Sequence, residues 1–180
     1  YDVHISQSRD NGRTWSPSFI IHRDSIAAEH GFVSMVPNGK KHIFATWLDG
    51  RNTKVADDKN HSDSHGGHGH GHGGAMTLRA AEFDIDGDIS NEVELDNRVC
   101  DCCQTDAALT DNGIVVAYRD RSADEVRDIS IVRKVNGNWT EPKTISNDNW
   151  KIAGCPVNGP SIAANGQDLA IAWFTMQNEK

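Results

Sequence analysis

The sequence predicts an all-β chain built from four-stranded antiparallel units, and three observations lead there. Helix signals are nearly absent, since no window keeps an apolar i, i+3, i+4 pattern over three turns. Short apolar runs alternate with polar residues and are bounded by Asn-Gly turns. The runs also repeat. Segments 28–51 (AEHGFVSMVPNGKKHIFATWLDGR), 102–121 (CCQTDAALTDNGIVVAYRDR) and 155–175 (CPVNGPSIAANGQDLAIAWFT) share one plan: a strand, an Asn-Gly turn and an apolar strand. The turns are Asn38-Gly39, Asn112-Gly113 and Asn165-Gly166, and the second strands end near Trp47, Tyr118 and Trp173.

Each element follows from local chemistry. Val3, Ile5 and Gln7 alternate with His4, Ser6 and Ser8, and Phe19, Ile20 and Ile21 form the answering run, so two strands flank the stretch SRDNGRTW. Asp10 there can bond nearby backbone, and Gly12 takes a positive φ without steric cost. Trp15 is expected to pack sideways as an anchor. After the first repeat segment, Ala75 to Asp84 and Asn91 to Leu95 flank a turn at Asp86-Gly87; after the second, Ile129 to Val135 and Lys143 to Ile145 flank Asn136-Gly137. Trp139 there matches Trp15 in position. Four-stranded units with a period of about fifty residues are the mark of β-propeller blades. The expected division is a partial blade at 1–27, a blade at 28–97 with an insertion at 57–75, a blade at 98–149 and a partial blade at 150–180.

The stretch SRDNGRTW resembles the Asp-box, or bacterial neuraminidase repeat, of sialidase-like β-propellers, with Ser8, Asp10, Gly12, Thr14 and Trp15 as its structural residues. The Asp86-Gly87 and Asn136-Gly137 turns are degenerate copies in register with it. The resemblance implies six blades in the full-length protein, with about three blade-equivalents here. It also implies a secreted or periplasmic protein that binds glycans or hydrolyses them as an exo-sialidase, on the face opposite the Asp-boxes. Family sialidases use a Tyr nucleophile, an Asp acid/base and an arginine triad that clamps the sugar carboxylate. The Arg-Ile-Pro motif that carries the first of these arginines is missing from this sequence.

On that opposite face the candidates for sugar recognition or catalysis are Asp49, Arg51, Arg119, Asp120 and Arg121, since guanidinium forks suit carboxylates. Arg127-Asp128, immediately before a strand, reads as a rim ion pair. A different class of function comes from HSDSHGGHGHGHGG, residues 61–74. His61, His65, His68, His70 and His72, separated by glycines, cannot build a core but can wrap Cu, Zn or Ni through neutral imidazole. The four cysteines add to this. Cys102 and Cys155 stand at the same offset before their Asn-Gly turns, which makes a disulfide sterically plausible; the alternative is that Cys100, Cys102, Cys103 and Cys155 bind a thiophilic metal. The second functional reading is therefore a non-enzymatic propeller binding a transition metal or a protein partner.

Composition removes other classes. With 18 Lys and Arg against 26 Asp and Glu, and the basic residues scattered, the chain has no nucleic-acid footprint. It has no apolar run long enough to span a membrane.

Overall fold

The computed structural model describes residues 1–54 and 74–176; the histidine loop, with the metal ligands expected at His61, His65, His68, His70 and His72, lies outside the described residues. Among the described residues the regular secondary structure is nearly all strand, with one 3-10 turn at Arg51–Thr53 and no α-helix. Four antiparallel sheets follow one another through the described residues, and none of these closes on itself. Strands β1 (His4–Ile5) and β2 (Phe19–Ile20) form the first. The second runs in order through β3 (His30–Asn38), β4 (His42–Asp49), β5 (Thr77–Asp84) and β6 (Ile89–Asp96). The third contains β7 (Asp106–Thr110), β8 (Gly113–Arg119), β9 (Ile129–Val135), β10 (Asn138–Trp139) and β11 (Lys143–Thr144), and the fourth β12 (Ser161–Asn165) and β13 (Asp168–Ala172).

Period-two alternation explains the stacking of these sheets. Along β8, Ile114, Val116 and Tyr118 face one apolar cluster with Phe44, Leu48 and Leu78 of the second sheet, while Val115 and Ala117 face another with Ile162 of the fourth. On β4, Ala45 and Trp47 turn the other way, onto Val3, Ile5 and Ile21. Both faces of these strands are therefore buried, as a strand sandwiched between sheets requires. The leading strands lie side by side, β3 against β7 and β7 against β12. Asp106 ties the last pair, accepting the Ile162 N–H at 2.8 Å.

The opening turn is a network centred on one carboxylate. Asp10 accepts the Thr14 N–H at 2.8 Å, the Thr14 hydroxyl at 2.7 Å and the Ser8 hydroxyl at 2.9 Å, and Gly12 sits at φ 84°. The Thr14 backbone and hydroxyl bonds are the main reason the Asp10 carboxyl is held down to about 2. Because the folded value lies below the unfolded 3.8, this carboxylate's contribution is fully present above about pH 4 and fades as pH falls through about 2. Acid unfolding followed by circular dichroism should thus separate the wild type from Asp10→Asn at pH 5, with the gap closing toward pH 2; a gap that persists at pH 1.5 would contradict this account.

Neighbouring sheets join at matching turns. Arg9 Nη2 reaches Asp86 Oδ1 at 2.5 Å and the Ile85 carbonyl at 3.0 Å, and the Asp111 N–H donates to the Gly166 carbonyl at 3.0 Å. One expectation needs correction. Trp15 is 64% exposed and lies over Gly12 instead of anchoring a core, because among the described residues no neighbouring sheet covers it. Trp139, its counterpart, is half-buried against Phe44 with ring centroids 5.5 Å apart. The outer strand expected at Lys143–Ile145 is present as β11, and the short β10 pairs with β9 ahead of it, the two separated at Pro142, which has no N–H for the ladder.

Candidate metal centre

The starts of the leading strands and the loops after β4 and β8 converge, and two clusters of chemistry-bearing side chains result. In the first, Asp49 ends β4 fully buried, accepting from Trp47 Nε1 at 2.9 Å and from Arg51 at 2.8 and 2.7 Å. Arg51 also meets Asp24 at 3.0 Å and Glu92 at 2.9 Å. Burial alone would raise the Asp49 carboxyl, but the Arg51 and Trp47 bonds outweigh it and hold it low. His30 bonds Asp24 at 2.8 Å and the Tyr1 carbonyl at 3.0 Å. The His22 ring lies flat on it, centroids 3.7 Å apart and planes 5° from parallel, and burial followed by repulsion from His30 pushes His22 down.

The second cluster surrounds four sulfurs. Cys102 and Cys155 form a disulfide with Cα atoms 6.3 Å apart, while Cys100 and Cys103 are buried thiols. Their Sγ atoms lie 3.1 Å apart, and each approaches Cys155 Sγ, at 3.6 and 3.8 Å. The Cys100 N–H donates to the Arg119 carbonyl at 3.0 Å, which fixes the cysteine turn to the end of β8. Arg127 Nη1 donates to Cys100 Sγ at 3.1 Å. The Cys103 hydrogen bond is the largest cause of a Cys100 thiol pushed down to about 6, against burial, with the Cys102 N–H and Arg127 assisting. Cys103 is pushed up by that same bond and by burial.

The arginines here are held by the protein itself. Arg119 is 1% exposed and donates to the carbonyls of Asn158 at 2.8 Å, Arg127 at 2.5 Å and Phe174 at 2.6 Å, with its guanidinium 5.1 Å above the Trp150 ring. Arg121 meets Glu125 at 3.0 Å and Asp101 at 2.9 Å. Glu125 is held down to about 2, chiefly by the Arg121 bond. Asp120 accepts from Ser130 Oγ at 3.1 Å and is pushed up, mainly by burial. Arg127 is no rim residue: 2% exposed, it pairs with Glu125 at 2.7 Å and donates to Cys100 Sγ, because the segment just before β9 turns it inward onto the cysteine turn.

Among the described residues three groups have ligand atoms within 4.8 Å of one another and could hold a metal: Cys100/Cys103/Cys155, Asp2/His22/His30 and Asp24/His30/Asp49. The last two are poorer chelates. Stacked imidazoles point their lone pairs along parallel lines, and Arg51 already neutralises Asp24 and Asp49. The sulfurs suit a thiophilic ion better, since tetrahedral zinc with Zn–S of about 2.3 Å needs sulfurs roughly 3.8 Å apart. Sequence reasoning placed Cys102, Cys155 and the loop residues on this face, and the structure brings Arg119, Asp120 and Arg121 to one cluster and Asp49 and Arg51 to the other. The Cys-x-x-Cys spacing of Cys100 and Cys103 is the sequence signal for their pairing. Sequence reasoning had no signal for His22, Asp24 or the Arg127–Cys100 contact, which join residues far apart in the chain. No family model, curated protein or solved structure matches the chain.

Proposed function

We propose that this chain is part of a sialidase-like β-propeller that acts as a binding protein for a thiophilic transition metal, Cu(I) or Zn. The ion is held by Cys100, Cys103 and Cys155, joined by Cys102, once the Cys102–Cys155 disulfide is reduced. The observation that carries this reading is the convergence of three sulfurs at 3.1, 3.6 and 3.8 Å beside the buried Arg127, whose charge offsets thiolates in a dry site. Side-by-side leading strands and the Asp10 network support the propeller assignment. A disulfide fits an oxidising compartment, so secretion or periplasmic export is part of the proposal, which then requires a dithiol reductant in that compartment to open Cys102–Cys155 before the ion binds.

Glycan hydrolysis receives less support. A carboxylate clamp needs guanidinium forks turned toward the ligand, and Arg119 and Arg51 aim theirs at internal carbonyls and carboxylates. Among the described residues no helix is long and apolar enough to cross a membrane.

Anaerobic titration of the reduced full chain against a competing chromophoric chelator tests the metal reading. Wild type should take up one tightly bound ion, and Cys100→Ser/Cys103→Ser should weaken it by about 100-fold or more while keeping the β-sheet circular dichroism signal. Deleting residues 61–74 should remove weaker imidazole uptake and leave the tight site. Unchanged tight uptake in the double variant would refute the cysteine site.

A further inference from the structure

The four cysteines hold one disulfide and one dithiol in contact with each other. Cys100 and Cys103 are 0% and 1% exposed, whereas Cys102 and Cys155 are half-buried, so the reduced pair lies inside and the oxidised pair nearer solvent. Cys100 Sγ is 3.6 Å from Cys155 Sγ, an atom of the disulfide, and 3.1 Å from Cys103 Sγ. Arg127 Nη1, donating to Cys100 Sγ at 3.1 Å, stabilises negative charge on that sulfur, the form in which it attacks a disulfide.

We propose that these residues form a thiol–disulfide exchange centre, in which the buried Cys100/Cys103 pair takes over the disulfide and leaves a dithiol on the half-exposed Cys102 and Cys155. In the first step the Cys100 sulfur attacks Cys155 Sγ. The Cys100–Cys155 bond forms, the Cys102–Cys155 bond breaks, and its electron pair leaves on Cys102. The Cys103 sulfur then attacks Cys100 Sγ, the Cys100–Cys103 bond forms, and Cys155 departs with the electron pair. Two protons released from Cys100 and Cys103 are taken up by Cys102 and Cys155. One disulfide is present before and after, so no outside oxidant or reductant enters. The reverse sequence restores the starting pairing. The centre needs no metal, and it stands on sulfur–sulfur contacts independently of the metal reading.

Disulfide mapping of the metal-free full chain in a chelator tests this. The dilute one-disulfide protein is held at pH 8 for hours, quenched in acid, alkylated and mapped by peptide mass spectrometry. Wild type should show Cys100–Cys103 beside Cys102–Cys155 in more than about one molecule in a hundred, the lower range for a populated minor state. Cys103→Ser cannot complete the second step and should accumulate the Cys100–Cys155 bond with Cys102 alkylated. Cys100→Ser should keep Cys102–Cys155 alone. If wild type and Cys103→Ser both yield only Cys102–Cys155, the exchange centre is overturned. Metal uptake is measured on reduced protein and fails or succeeds separately. Should Cys100→Ser misfold, the comparison of wild type with Cys103→Ser decides the matter alone.

Discussion

Arg119→Met is expected to cost the fold about 3–5 kcal/mol in chemical denaturation, because it removes a buried charge that satisfies three backbone carbonyls at once. Those carbonyls belong to Asn158, Arg127 and Phe174, so one guanidinium ties the end of β8 to the segments before β9 and β12 and to the chain beyond β13. Methionine fills much of the volume but donates nothing, and the Arg127 carbonyl, whose bond to Arg119 is buried, is left dry. Arg119→Lys should recover little of the loss, since one ammonium on a flexible stem cannot serve three acceptors held in a planar fork's geometry. Stability of Arg119→Met within about 1 kcal/mol of wild type would mean that water or a neighbour replaces these bonds.

Gly159→Ala carries the second large effect, and its cause is purely steric. A Cβ at Gly159 would stand 1.7 Å from the Gln104 carbonyl oxygen and 2.6 Å from its carbon, so backbone must move. Overpacking of this kind costs about 3 kcal/mol or more when the obstructing atoms are main chain. The consequence reaches the sulfur cluster. Gln104 follows Cys103, Asn158 holds Arg119, and Cys155 begins the same segment, so forcing 104 and 159 apart separates Cys103 from Cys155. Tight metal uptake should fall together with the melting temperature. Gly154→Ala is the control: beside Cys155, its Cβ meets nothing within 4 Å, and it should leave both measurements unchanged. Equal behaviour of the two alanine variants would show that the segment relaxes freely.

Much of the architecture is legible residue by residue. The Asn-Gly turns, the alternation along β8 and the Asp10 network depend on bonds among residues a few positions apart, where sequence order alone sets the partners. The same reasoning overreached at Trp15, whose environment depends on a neighbouring sheet. The site was half legible. Cys102 and Cys155 could be paired because the repeat places both at one offset, while their proximity to Cys100 and Cys103 left disulfide and metal readings both open.

Sequence by itself determined the strand order, the turn chemistry and the set of residues at the loop end of each unit, because these follow from local dihedral preferences and period-two burial. Only the tertiary structure decided what those residues touch. It turned Arg119 and Arg127 inward, set Arg51 between Asp24 and Asp49, and brought the Cys100 sulfur into contact with both Cys103 and the disulfide. Contacts of that kind join separate sheets across dozens of residues, and their partners are selected by which buried charges and sulfurs can satisfy one another without water.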